Sequence, residues 1–251
     1  MLVDLAPEIL LFLALAAFVA GFIDSIAGGG GLITVPALLL AGLPPVDALG
    51  TNKLQSVFGS ASATWSYAKA GLVNLKAQLP TAAMSFLGSM AGAALATILP
   101  GDWLNIVLPA MLVIIALYFA FKPDMSDVDS IRRISPFLFG ITIVPLIGFY
   151  DGIFGPGTGS FFMVAFVALA GFGVLKATAH TKLLNFASNA GSLILFFAAG
   201  ALVWKVGLIM GAAQFFGARL GARLAMKSGA RLIKPLLVLT CVGLAIKLLI
   251  G

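Results

Sequence analysis

Gly21-Phe22-Ile23-Asp24-Ser25-Ile26-Ala27-Gly28-Gly29-Gly30-Gly31 has a second version in the other half of the chain, Gly148-Phe149-Tyr150-Asp151-Gly152-Ile153-Phe154-Gly155-Pro156-Gly157-Thr158-Gly159. Each places an aspartate near the end of an apolar run, breaks the run with glycines, and starts a shorter apolar run. Glycine in a helix interior costs about 1 kcal/mol against alanine, so four adjacent glycines interrupt a helix rather than extend one. A helix that restarts after such a break offers unpaired backbone N–H groups at its first turn, which suit an anion. Two such breaks inside apolar sequence point to a membrane transporter whose substrate meets both.

The composition agrees with a bilayer setting. Of 251 residues 61% are hydrophobic and 10% charged, against about 25% charged in soluble domains. Ten apolar segments are read at residues 7–27, 32–43, 46–68, 75–99, 103–121, 135–153, 161–171, 175–199, 204–226 and 232–250. Eight have spanning length. The second and seventh, at about 1.5 Å per residue, fall well short of the roughly 30 Å hydrocarbon core. The glycine breaks are therefore expected inside the membrane, where irregular backbone must be buried in protein or line a wet cavity.

The expected fold is an all-α integral membrane protein of two inverted five-segment repeats. Residues 1–121 form the first repeat, 122–134 a cytoplasmic linker and 135–251 the second repeat, packed as one transmembrane bundle. The repeat is visible in the residues. Segment 48–96 overlies 177–225 without a gap, setting Lys53 on Lys182, Leu54 on Leu183, Lys76 on Lys205, Gly88 on Gly217 and Gly92 on Gly221. With ten crossings, Lys69, Lys76, Lys122, Arg132, Arg133, Lys176, Lys227, Arg231 and Lys234 share one side. The other side holds only Lys205 and Lys247 with four acidic residues. The positive-inside rule then sets both termini outside. Eight crossings with re-entrant short segments would scatter the basic loops over both faces. Residues 1–8 carry Asp4 and Glu8 but no basic residue, so the first segment is expected to act as an uncleaved insertion signal.

Asp24 and Asp151 are the carboxylates inside apolar segments, at matching positions. An ionisable group at membrane depth is a candidate for function, here proton coupling. The structural alternative is that each caps backbone freed by its glycine break, and both roles are compatible. Lys53 and Lys182 enter the third and eighth segments among polar neighbours. Snorkelling to the interface is one reading. The other is a substrate pathway, because Asn52, Gln55, Asn185 and Asn189 continue the polar face into apolar sequence. The candidate substrate site is therefore Gly28, Gly29, Gly30, Gly31, Asn52, Lys53, Gln55, Gly155, Gly157, Thr158, Gly159, Thr181, Lys182, Asn185 and Asn189. Gly88-x-x-x-Gly92 and Gly217-x-x-x-Gly221 read as close helix contacts, Arg219 and Arg223 as snorkelling side chains, and His180 as solvated. Trp65, Trp103 and Trp204 read as interfacial anchors.

The net charge of +6 fits loop lysines and arginines rather than a nucleic-acid partner. One cysteine and one histidine argue against a metal site or a resident cofactor. The chain carries no Gly-x-Ser-x-Gly elbow and no nucleotide-binding loop, so it is not expected to be an enzyme.

The glycine run 28–31, Gly50-Thr51-Asn52-Lys53-Leu54-Gln55, Gly155-Pro156-Gly157-Thr158-Gly159 and His180-Thr181-Lys182-Leu183-Leu184-Asn185 together resemble the TauE/SafE family of sulfite exporters over nearly the whole chain. The resemblance implies a multi-pass transporter of the bacterial inner membrane with two related halves. It implies sulfite, an organosulfonate or a related sulfur-containing anion as substrate. Expected partners are that small anion and the lipid bilayer, with a homodimer left open. A neutral sulfur compound, a cation held by Asp24 and Asp151, and a membrane protein without transport are the alternatives. Pro156 stands where the first half has Gly29, and Thr181 where it has Asn52, so the two half-sites differ.

Overall fold

The computed structural model describes residues 5–99 and 128–229. Those residues form an all-helical bundle: α1 (Pro7–Ala27), α2 (Gly31–Leu40), α3 (Pro45–Lys69), α4 (Leu75–Ile98), α5 (Pro136–Ile153), α6 (Thr158–Ala168), α7 (Val174–Ala198) and α8 (Trp204–Ser228). The expected segments 103–121 and 232–250, and the linker as far as residue 127, lie outside the described residues.

Helices α1, α4 and α5 are long and apolar enough to cross a bilayer by length and composition. Helices α3, α7 and α8 have 25 residues each, about 37 Å at about 1.5 Å per residue. The polar residues in the middle of α3 and α7 turn inward. Thr51, Asn52, Lys53 and Gln55 on α3 and Thr181, Lys182, Asn185 and Asn189 on α7 are buried. Helices α2 and α6 are short and apolar, as expected, but start earlier than the apolar pattern alone suggested. Gly31 and Thr158 are already helical, because the first turn needs close backbone approach rather than an apolar side chain. A five-residue π-helical turn, Phe139–Ile143, opens α5, a feature without a counterpart in α1.

Small residues set how the helices pack. Gly217 and Gly221 of α8 lie on the backbone of Phe18 and Phe22 of α1. Gly88 and Gly92 of α4 lie on Pro145 and Phe149 of α5 in the same way. No side chain fits at these four positions, which is the small-residue packing of membrane helices. The order of contacts gives the directions. Leu54 meets Gly207, Phe58 meets Gly211, and Ser62 Oγ donates to Phe215 O at 2.8 Å, so α3 and α8 run parallel. Ser85 and Ser89 Oγ donate to Leu184 O and Ser188 O at 2.9 and 2.6 Å, so α4 and α7 run parallel. Helices α1 and α8 are parallel too, and hence α1 and α3 run the same way.

The described part of the linker docks beside α7. Ser130 N–H donates to Gly171 O at 2.7 Å, and Asp129 pairs with Lys176 at 2.7 Å while accepting from Gly173 N–H. The Lys176 ammonium, followed by that N–H, holds the Asp129 carboxyl below its ordinary value of 3.8. His180, expected to be solvated, is partly covered by aromatic rings. Its ring is half-buried 5.6 Å from Phe166 and 4.9 Å from Phe172. Trp65 and Trp204 are exposed, and Trp103 lies outside the described residues.

A candidate substrate site between two helix breaks

The two glycine stretches, far apart in sequence, pack backbone to backbone. A Cβ on Gly159 would stand 3.0 Å from Gly28 Cα, and one on Gly31 would stand 3.1 Å from Pro156 Cα. Ser160 Oγ donates to Ala27 O at 2.9 Å across the junction. Helix α1 ends at Gly28 with φ +81°, and α6 is preceded by Gly157 with φ +81°. Backbone at positive φ is open to glycine and strained for other residues. Two tyrosines brace the junction from either side. Tyr67 Oη donates to Ser25 O at 2.8 Å and Tyr150 Oη to Pro156 O at 2.5 Å.

The four charged groups form two crossed pairs. Lys53 on α3 reaches Asp151 on α5, 2.9 Å from Oδ1 and 2.5 Å from the carbonyl oxygen. Lys182 on α7 reaches Asp24 on α1, 3.2 Å from Oδ2, and also donates to the Asp24 carbonyl. Each carboxylate also sits at the start of a short helix. Asp24 Oδ1 accepts from Gly30 N–H at 3.1 Å, and Asp151 Oδ1 accepts from Thr158 Oγ at 2.7 Å. Capping the break and carrying a charge away from water thus coincide in the same side chains. The lysines, read from sequence as part of a substrate pathway, are each matched by a carboxylate. A buried charge demands such compensation.

The pairs are not equivalent. The Asp24 side chain keeps 15% of its exposure, that of Asp151 3%, and both lysines 1%. The Asp151 carboxylate lies closer to its lysine, yet its Oδ2 faces no partner among the described residues.

A small cavity lies where the breaks meet. Its walls are Asp24, Asp151, glycines 29–31, 155, 157 and 159, Thr158, Asn52, Asn185, Asn189, Ser56, Ser60 and Gln214. The space open to the centre of a water molecule is about 20 Å³, close to the roughly 10–15 Å³ that one water needs. The walls carry more donors than the charge balance suggests. The N–H groups of Gly29, Gly31, Gly157 and Gly159 find no acceptor among the described residues. Asn52 Oδ1 already accepts from Thr34 Oγ at 2.6 Å and Gln55 Nε2 at 2.8 Å, which leaves its Nδ2 donor to the cavity.

Of the expected site residues, the structure brings Asn52, Asn185, Asn189, Thr158 and six glycines of the two breaks to this cavity. Gly28, Lys53, Gln55, Thr181 and Lys182 stand behind the wall, where Gln55 orients Asn52 and the lysines hold the carboxylates. Ser56, which follows Asn52 and Gln55 on the polar face of α3, lines the cavity too, as do Ser60 and Gln214, which were not read from sequence. The repeat register sets Asn189 on Ser60, so that residue was within reach of the pattern. Gln214 was not. It occupies space vacated by Gly21 and Gly59, where a Cβ on either would stand 2.7 Å from its Cγ.

A family model described as Sulfite exporter TauE/SafE matches residues 13–248. A Sinorhizobium protein named "Probable membrane transporter protein ORF9" is 65% identical over 98% of this chain and 94% of its own length. "Probable membrane transporter protein YfcA" of Escherichia coli K12 is 46% identical over 97% and 91%. "Probable membrane transporter protein YunE" of Bacillus subtilis is 26% identical over 88% and 90%. No solved structure matches the chain.

Proposed function

This chain belongs to the sulfite exporter TauE/SafE family of membrane transporters, and from that premise we propose that it moves a small anion across the bacterial inner membrane as a secondary transporter. The anion is sulfite, an organosulfonate or a related sulfur-containing species. The observation that carries this reading is the convergence of two short-helix N-termini, with open N–H groups, on one cavity. Both the helix dipole and the N–H geometry favour an anion there. With Lys53 and Lys182 already neutralised, a dianion is a poorer match than a monoanion such as hydrogensulfite or a sulfonate.

Proton coupling falls to Asp24. Its carboxylate occupies Gly30 N–H, the kind of donor that an incoming anion needs. Protonation weakens that hold and leaves Lys182 with positive charge to share, so proton and anion favour one another. Asp151 is enclosed and serves mainly to hold Lys53.

The architecture that goes with this reading is the inverted repeat of five plus five crossings, with the linker in the cytoplasm. The helix directions support it. Parallel α1 and α3 require the short α2 to carry the chain back across, and the same holds for α5, α6 and α7. Inverted repeats with binding at their midplane interface and discontinuous helices pointing at the substrate are a recurrent transporter plan.

Flux into proteoliposomes tests the proposal. Sulfite, sulfate, thiosulfate, sulfoacetate and small carboxylates are offered with and without a pH gradient. Saturable uptake of a sulfur-containing anion is expected, and uptake of none of them would reject the reading. A cation is the second reading, favoured by the unpartnered acceptors Asp151 Oδ2 and Asn185 Oδ1. Sodium-stimulated flux independent of the anion offered would establish it instead.

A further inference from the structure

Where α3 and α8 end side by side, past the Ser62–Phe215 hydrogen bond, the helices part around a groove with about 280 Å³ open to the centre of a water molecule. Lys69, Arg219 and Arg223 converge on it, with Trp65 and Met226 as apolar walls. Arg219 and Arg223 stand one turn apart on the same face of α8, a spacing at which like charges repel. None of the three cations forms an ion pair among the described residues. Lys69 in the last turn of α3 is accounted for by that helix's dipole, but the two arginines are not.

Leu220, Phe216 and Ile209 lie exposed along one face of α8. From the level of the arginines they lead back along the helix, away from its C-terminal end. Trp65 is exposed beside the cations, and an indole in that position marks the level of the headgroups. A cationic mouth above an apolar stripe fits an amphiphile with an anionic head. A free anion would leave the stripe unused and would find no enclosing wall.

We propose that this groove is a binding site for an anionic phospholipid. Its phosphodiester lies among Lys69, Arg219 and Arg223, and an acyl chain runs along Leu220, Phe216 and Ile209. Basic pockets between membrane helices recognise acidic lipid heads in this way. Simple snorkelling of the arginines predicts no preference among headgroups, and that difference can be measured.

Native mass spectrometry of the full chain, delipidated in detergent and titrated with phosphatidylglycerol or phosphatidylcholine, provides the test. Phosphatidylglycerol is expected to bind at least fivefold more tightly. Arg219→Gln with Arg223→Gln should remove that preference, and Lys227→Gln, exposed at the same end but outside the groove, should keep it. If the double variant does not fold by circular dichroism, Lys69→Gln replaces it and should lower the preference. Equal binding of the two lipids, or a preference that survives the substitutions, would overturn the proposal. So would displacement of the lipid by millimolar inorganic phosphate, since that would mark a site for the head alone. None of these outcomes depends on which solute the protein carries.

Discussion

Lys182 and Asp24 belong to opposite halves of the chain, yet the ammonium of one lies 3.2 Å from the carboxylate of the other. The same crossing joins Lys53 to Asp151 at 2.9 Å. Each half thus completes the helix break of its partner, and the cavity stands between two interlocked and electrically balanced pairs.

Removing one member of a buried pair strands the other, at a cost of about 3–5 kcal/mol. Lys53→Gln should therefore destabilise the protein by an amount in that range. Lys182→Gln should cost less, because water reaches Asp24. Thermal unfolding in a fixed detergent measures both. Combining Lys53→Gln with Asp151→Asn should recover part of the loss, and simple additivity of the two would show that the pair is not coupled.

Glycine positions separate backbone strain from site occlusion. Gly42 has φ +86° and open space around its Cα, so Gly42→Ala should cost about 1–2 kcal/mol and leave transport unchanged. Gly159→Ala carries no positive-φ strain, but its Cβ stands 2.8 Å from Asn185 Nδ2. The same Cβ stands 3.0 Å from Gly28 Cα, so Gly159→Ala should abolish much of the transport as well as lower the melting temperature. Flux and melting temperature measured together distinguish the two.

Asn52 depends on its supports. Thr34→Val removes one of the two donors that fix its Oδ1, an interaction worth about 1 kcal/mol. Anion affinity should fall about fivefold, with the melting temperature lowered only slightly. A variant with unchanged affinity would mean that Asn52 orientation is set elsewhere.

Docking of the linker should depend on pH. The fold lowers the Asp129 pKa from 3.8, so its contribution is fully present above about that value. It is lost as pH falls through the lower folded value. Amide exchange at Ser130 and Gly173, corrected for the intrinsic rate, should accelerate only at that acid end. Asp129→Asn should show the faster exchange at neutral pH as well.

Much of this arrangement was legible in the chain itself. The bounds of α1, residues 7–27, follow from Pro7 at its start and the glycines at its end, and the expected segment coincides with the helix. The overlay of 48–96 on 177–225 anticipated that Lys53 and Lys182 occupy equivalent places. The identity of their partners was not legible, because an ion pair between halves leaves no local spacing to read. Lysines that looked like ligands proved to stand behind the carboxylates. Tyr67 and Tyr150 escaped notice for a related reason. Each braces the junction from one half only, so the repeat register does not pair them. Gln214 fills space that two glycines leave empty, which becomes visible only when α1, α3 and α8 are packed.

The central claim is that an anion is held where the two helix breaks meet, and calorimetry tests it most directly. The wild-type protein and a folded Gly159→Leu variant are titrated with sulfite and small organosulfonates. The account predicts saturable binding of at least one anion to the wild type, weakened at least tenfold in the variant. Equal binding by both proteins, or a wild type that binds none of these anions, would contradict it.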